Sequence, residues 1–411
     1  MIMIIIINEK DRWNLMAKYF FSSSFLLFLG NWIGQVGLNW FVLTTYHNAV
    51  YLGLVNFCRL IPILLLSVWA GSIADKYDKG LLLRITITSS FIITALLCLL
   101  TYSLNSIPIF IILLYATFRG ILSAVETPVR QAVLPDLSSK ISTTQAVSFH
   151  SFIINICRSI GPAIAGGLIA VYHTPTTFLA QAVCYFIAAV LCIPIHFEVI
   201  LSQKEGKALP LKVVLNYFKS NLEGSQIFIT SIIIMATGFS YTTVLPVLTN
   251  HIFPGQSQVF GIAMTFCAIG GIVATIVLPS ILKHLSTVKM YYLSSILFGI
   301  ALLGIIIHHL VVMFICITLI GLFSQWARTT NRVYFQHSVK DCDRGKVLSI
   351  IMMDRGMIPL GSLIMSFFAD MFGILTTFTI MGISTISISI IFMLERKKRK
   401  ELYEKYDLIK D

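Results

Sequence analysis

KGLLLRITITSSFIITALLCLLTYSLNSIPIFIILLYATFRGILSAVETPVR, residues 79–130, holds two apolar runs joined by Ser103-Leu104-Asn105-Ser106. Each run, at about 83–104 and 107–127, is long enough to cross a hydrocarbon layer of roughly 30 Å as a helix of about 20 residues. Lys79, Arg84 and Arg130 bracket the pair, whereas the connection between the runs carries neither Lys nor Arg. Basic residues gather in cytoplasmic loops. The stretch therefore reads as a membrane hairpin with its ends inside and its tip outside.

The same alternation extends outward along all 411 residues. Spans are expected at about 19–44, 50–71, 83–104, 107–127, 143–169, 175–197, 223–248, 258–282, 289–308, 310–330, 346–369 and 373–394. Every Lys and Arg lies within a span or in alternate connections. Lys18, Lys76, Arg130, Lys140, Lys204, Lys283, Arg332, Lys346 and the run Arg396 to Lys400 fall on one side, while the turns near His47, Asn105, His173, His251, His308 and Asp370 hold neither Lys nor Arg. An even number of crossings puts both termini in the cytoplasm, and the expected location is a bacterial inner membrane. The fold class is all-α, with twelve transmembrane helices in two six-helix bundles. Its parts are a cytoplasmic segment 1–18, a bundle 19–197, a polar linker 198–222, a second bundle 223–394 and a basic tail 395–411.

Composition excludes other classes. Hydrophobic residues make up 57% and charged residues 12%, with mean hydropathy +0.86, so a water-soluble core cannot absorb these side chains. The net charge of +12 sits in membrane-flanking loops rather than on a basic face interleaved with stacking aromatics, which argues for anionic inner-leaflet lipid and against nucleic acid. Seven cysteines fall in spans and Cys342 in an inner connection, without metal-ligand spacing or an external disulfide framework. No nucleotide-phosphate loop or nucleophile elbow is present. No metal, cofactor, enzymatic activity or obligate protein partner is expected.

An internal echo points to duplication. Thr127-Pro128-Val129-Arg130-Gln131 leaves the fourth span and Thr329-Thr330-Asn331-Arg332-Val333 the tenth. Arg158-Ser159-Ile160-Gly161-Pro162 in the fifth span parallels Arg355-Gly356-Met357-Ile358-Pro359 in the eleventh. Two related halves are what alternating access to one central cavity requires.

Gly71-Ser72-Ile73-Ala74-Asp75-Lys76, between the second and third spans, resembles the loop motif of the major facilitator superfamily, with Ile73 where Leu is usual. Glu126 to Leu137, with the core Arg130-Gln131-Ala132-Val133-Leu134-Pro135-Asp136, resembles a narrower branch of enterobactin-exporter-like and macrolide-efflux-like facilitators. Gly161-Pro162-Ala163-Ile164-Ala165-Gly166-Gly167 resembles the Gly-Pro motif of facilitator antiporters, with one extra residue between Pro162 and Gly166. These resemblances imply two pseudo-symmetric bundles, efflux of a small organic molecule and proton antiport. They also imply conformational gating by Gly71, Asp75, Lys76, Arg130, Gly161, Pro162, Gly166 and Pro359. Arg119 lies where many facilitators carry an arginine tied to proton coupling, although the usual Arg-x-x-x-Gly spacing is absent.

An ionised group at mid-bilayer costs at least about 2.5 kcal/mol, so it faces a cavity or a partner. Arg59, Arg119, Arg158 and Arg355 are candidates for the substrate pathway, Arg158 and Arg355 foremost, where a guanidinium fork suits carboxylate or catecholate-like oxygens; the alternative for each is a cation held by carbonyls or a carboxylate. Asp354 and Glu126 are the candidate proton carriers, with Arg119 beside them, and either carboxylate could instead neutralise an arginine. Asn31 and Gln35 share a polar stripe of the first span. Tyr241, Gln325 and Trp326 offer similar surfaces in the second half. The resulting expectation is a secondary exporter of a siderophore, metallophore or drug, with protons and membrane lipids as partners. An importer or lysophospholipid flippase on the same fold, and a non-transporting membrane scaffold or sensor, remain as alternatives.

In right-side-out vesicles, protease-cleavable tags at both ends should be shielded. Cleavage of just one would overturn the even number of crossings.

Overall fold

The computed structural model describes residues 9–104, 106–135, 137, 143–195, 211–339, 351, 354 and 356–407, those at 9–14, 67–76, 143, 144, 211–215, 397 and 399–407 by backbone only. The described chain is helical: α1 Glu9–Tyr46, α2 Ala49–Lys76, α3 Lys79–Ser103, α4 Ile109–Val133, α5 Thr143–Tyr172, α6 Pro175–Cys192, α7 Leu211–Ser220, α8 Leu222–Ala236, α9 Tyr241–Ile252, α10 Ser257–Ile281, α11 Thr287–Gly304, α12 Leu310–Ser338, α13 Met357–Phe372 and α14 Ile374–Asp407. Among the described residues 11 helical segments, with α8 and α9 counted as one, are long and apolar enough to cross a membrane. α13 is a shorter apolar helix of 16 residues. Helices suit this solvent because each satisfies its own backbone where no water is present.

The chain divides into two compact units, Met1–Gly206 with Gly255–Thr265, and Lys207–Pro254 with Phe266–Asp411. In the first, α2 packs on α4, α1 on both α5 and α6, and α3 on α4 and α6. One apolar cluster joins Phe20 and Leu27 of α1 to Leu83 and Ile87 of α3, Val129 and Val133 of α4, and Tyr185 and Cys192 of α6. In the second, α11 packs on α12 and α14, and α13 on α8, around Ile227, Tyr291, Tyr292, Ala327 and Phe335.

Several boundaries depart from the sequence expectation. The span expected at 223–248 is two helices, α8 and α9. At the break the Ser240 hydroxyl donates to the Ala236 carbonyl at 2.6 Å and Phe239 N reaches back to Ile234 O at 3.0 Å, so side chain and a wider turn replace the regular ladder. Within the span expected at 346–369, Ile351 is helical and α13 covers Met357–Phe372. α4 does not stop at Thr127: it continues through Pro128 to Val133 and carries Arg130, expected in a cytoplasmic connection, into the interior, 1% exposed. Part of the expected linker is helical as well. From α7, Tyr217 pairs with Ser338 at 2.7 Å and Phe218 stacks on Phe228 with centroids 4.9 Å apart, so this end of the linker packs on the second unit.

The turn between α2 and α3 is fixed by Asp78, whose carboxylate accepts from Gly80 N at 2.9 Å and Leu81 N at 3.3 Å. That is an N-cap, satisfying amides the helix itself leaves open. Lys79 Nζ donates to Ala132 O at 3.1 Å and ties this turn to the end of α4, a contact favoured by the dipole at a helix C-terminus.

α2 and α4 cross closely because Gly120 has no side chain: a Cβ there would stand 2.4 Å from the Arg59 carbonyl oxygen and 3.0 Å from Pro62 Cγ. At Gly167, by contrast, a Cβ meets nothing within 4 Å. Gly120→Ala should therefore destabilise the protein by about 1–3 kcal/mol through overpacking. Gly167→Ala should be neutral or gain up to about 1 kcal/mol from the lost backbone freedom. Thermal unfolding of the two variants in detergent checks the contrast.

Candidate functional site

Arg119, Glu126 and Arg130 recur on α4 at spacings of seven and four residues, which places them on one helical face. All three are buried, Arg119 and Glu126 at 3% exposure. Glu126 lies between the two guanidiniums, Oε1 at 3.1 Å from Arg130 Nε and Oε2 at 3.8 Å from Arg119 Nη1. Arg130 also donates to Ser24 Oγ at 2.6 Å, and it stands over the Phe20 ring at 5.7 Å.

Arg119 is held by three helices. Its Nε and Nη2 donate to Tyr185 Oη at 3.1 and 2.9 Å, Nη1 to Ser123 Oγ at 2.9 Å, and Nη2 to Asn31 Oδ1 at 3.3 Å. Tyr185 in turn donates to Asn31 Oδ1 at 3.2 Å and accepts from Gln181 Nε2 at 2.9 Å. The guanidinium also lies 5.0 Å from the centroid of the Tyr185 ring. A buried charge without such partners would be strongly unfavourable.

A second polar chain joins α1 to α2: Arg59 Nη2 donates to Asn56 Oδ1 at 3.2 Å, and Asn56 Nδ2 to Asn39 Oδ1 at 2.9 Å. Gln35 is half-buried and has no hydrogen bond among the described residues. Between α1, α4 and α5 lies a small polar cavity of about 70 Å3, bordered by Asn31, Glu126, Arg130, Gln131 and His150. An apolar groove of about 820 Å3 runs between the N-terminal halves of α1 and α5, lined by Phe21, Phe25, Phe149 and Phe152 with Lys18 and Gln145.

In the second unit, Asp354 is 5% exposed. Its Oδ2 accepts from Ser231 Oγ at 2.6 Å and Asn331 Nδ2 at 3.3 Å. Both partners are neutral, and the positive charges of Arg332 and Arg328 act on it through space. Arg328 donates to Gln325 Oε1 at 2.7 Å and stands 4.9 Å above the Phe239 ring. Trp326 Nε1 donates to Ala274 O at 2.9 Å, and Tyr241 Oη pairs with Cys267 Sγ at 2.9 Å.

The structure thus brings Asn31, Arg119, Glu126 and Arg130 together, and places Arg59 on a separate chain. Arg158 is half-buried on α5, with no hydrogen bond or ion pair among the described residues. Three residues on, a Cβ at Gly161 would meet Trp32 Cβ at 2.6 Å, and one at Gly166 would meet Gly261 Cα at 3.1 Å, so α5 is closely packed on either side of Pro162. Pro359 is buried in the first turn of α13, where its missing N–H costs no helical bond. Gly71, Asp75 and Lys76 lie on α2 and their side chains fall outside the described residues, as does all of Arg355.

Sequence reasoning missed Arg328, His150, Tyr185, Gln181 and Ser231. Arg328 was detectable: extending the echo one residue upstream sets Arg328 against Glu126, as Arg332 stands against Arg130. The hydroxyl and amide partners carry no comparable signal, since Ser, Tyr and Gln recur throughout the spans.

Residues 16–407 match the family model described as transmembrane secretion effector. The chain is 75% identical over 386 residues, 94% of its length and 97% of the relative's, to the staphyloferrin A transporter of Staphylococcus aureus (strain NCTC 8325 / PS 47). It is 20% identical over 404 residues to macrolide efflux protein A of Streptococcus pyogenes, covering 96% and 99% of the two chains. Among solved structures, the nucleoside transporter NupG superposes with TM-score 0.71 at 16% identity, covering 92% of this chain and 98% of that one. A bacterial homologue of the human lysosomal transporter Spinster gives 0.70 at 12%, covering 92% and 95%. These two likenesses concern the fold alone.

Glu126→Gln would leave two buried guanidiniums without a counter-charge and should cost about 3–5 kcal/mol. A lowered unfolding midpoint in detergent, larger than that of Asn56→Ala, is the expected result.

Proposed function

We propose, for a chain that belongs to the transmembrane secretion effector family of the major facilitator superfamily, a secondary exporter that moves a small anionic organic molecule of the siderophore class out of the cell. The chain is a multi-pass membrane transporter and not an enzyme. The observation that carries the anionic reading is the buried α4 face, where two arginines share one carboxylate. Its excess positive charge suits carboxylate or similar oxygens, which a guanidinium binds through paired N–H groups. The relative that transports staphyloferrin A supports a metallophore over a drug.

In this reading Asn31, Gln35, Arg59, Arg119 and Arg158 serve the pathway from the first bundle, and Tyr241, Gln325, Trp326 and Arg355 from the second. Close helix packing around Gly161, Pro162 and Gly166 lets α5 tilt as one piece, while Gly71, Asp75, Lys76, Arg130 and Pro359 gate the change of access. Both termini lie in the cytoplasm, and the basic tail contacts anionic lipid of the bacterial inner membrane.

Export is coupled to proton entry, with Asp354 as carrier. Protonating Glu126 would strip two buried cations of their counter-charge. Protonating Asp354 breaks no ion pair among the described residues, because its contacts with Ser231 and Asn331 are to neutral groups. A hydroxyl partner can turn to donate to the carboxylate or accept from the acid. The carboxylate with neutral partners is therefore the cheaper one to titrate during a cycle.

The test uses the full chain in sealed vesicles with staphyloferrin A and an imposed pH gradient. Wild-type flux should rise with the gradient. Asp354→Asn should lose at least about tenfold of the gradient-driven flux, equivalent to about 1.4 kcal/mol, while gradient-free counterflow persists. Unchanged proton-driven flux in this variant would remove Asp354 as the carrier.

A further inference from the structure

We infer that the small cavity beside His150 is a carboxylate subsite, taking one acidic arm of the transported molecule; this deepens, and rests on, the exporter reading above. Its size sets the first limit. At about 70 Å3 it has room for roughly two waters at about 30 Å3 each, or for one carboxylate group, but not for a whole substrate.

Charge sets the second limit. Arg119 and Arg130 face a single carboxylate, Glu126, so this buried polar layer carries one positive charge in excess. A cation would be repelled and an anion drawn in. Among these groups Arg130 and Glu126 themselves border the cavity, with the amides of Asn31 and Gln131.

The third observation concerns His150. It is 5% exposed, borders the same cavity, and its Nδ1 is buried without a hydrogen-bond partner. The ring is otherwise well placed: it stacks on Phe20 at 6.0 Å and meets the edge of Phe28 at 5.5 Å. From α1 it thus faces aromatic carbon, and from α4 the Arg130 and Glu126 pair. A buried polar atom left unsatisfied costs about 1–3 kcal/mol. A guest oxygen would remove that cost. With the proton on Nδ1, the neutral imidazole donates to a carboxylate oxygen while the Arg130 guanidinium neutralises the charge. No proton is taken up or released in this step. Glu126 stays where it is, since both arginines keep it paired.

The test combines two measurements on the full chain. In detergent, succinate at ~10 mM should raise the unfolding midpoint of the wild type by selective binding to the folded state, and succinamide should not. His150→Phe keeps an aromatic ring against Phe20 but lacks the nitrogen, and should abolish the succinate effect. In vesicles the same variant should raise KM for staphyloferrin A at least about tenfold, with kcat little changed. His150→Asn, whose amide nitrogen sits near the position of Nδ1, should restore both. Equal shifts by succinate and succinamide, or a succinate response and KM untouched by His150→Phe, would overturn the subsite. A His150-dependent succinate shift in a protein that does not move staphyloferrin A would uphold the subsite and instead reject the exporter reading.

Discussion

Inside a bilayer no water is at hand to satisfy a charge, and most of this architecture follows from that shortage. Each buried ionic group must find its partners within the protein. Arg119 therefore gathers Tyr185, Ser123 and Asn31 from three helices, so that guanidinium ties α1, α4 and α6 together. Interhelical hydrogen bonds in membranes are individually modest, averaging about 0.6 kcal/mol. Their weight here comes from the ions they allow to exist.

The two halves answer the same shortage differently. In the first, the carboxylate sits on the same helix as its cations, one turn from Arg130. In the second, the corresponding helix carries Arg328 and Arg332, and the acid has moved to Asp354 beyond the end of α12. In the register of the internal echo Asp354 stands opposite Cys157, which is buried and donates to the Phe25 carbonyl. Of the α4 arginines, in the register of the echo only Arg130 keeps a cation opposite it, Arg332, while Arg328 stands against Glu126 and Gly321 against Arg119. The first half holds a carboxylate ion-paired on its own helix, and the second a carboxylate hydrogen-bonded to neutral groups with Arg328 and Arg332 acting on it through space.

The membrane class, the helical fold and the order of the spans were legible in the sequence, because length, apolarity and the placement of Lys and Arg are properties of the chain itself. The meeting of Asn31, Arg119 and Glu126 was visible only as separate intramembrane polar residues. Which arginine pairs with which acid depends on helix rotation, and that is decided by tertiary packing. Arg130 shows the limit well. Its position just after a proline reads as a loop, yet α4 continues through Pro128 and its guanidinium is enclosed by Ser24, Glu126 and Phe20. Hydropathy likewise could not detect the interruption between α8 and α9, since Thr237, Gly238 and Ser240 scarcely lower the apolar average of a long window.

That interruption makes the leading helices of the two units mechanically unlike. α1 is a continuous rod of 38 residues, whose bending would stretch backbone bonds along its length. Between α8 and α9 the Ala236 carbonyl is already held by a serine hydroxyl, which swivels about a single bond. The same carbonyl is wedged against α13, where a side chain at Gly361 would collide with it, so this knuckle is clasped by its neighbours whereas the long rod is held by its own ladder.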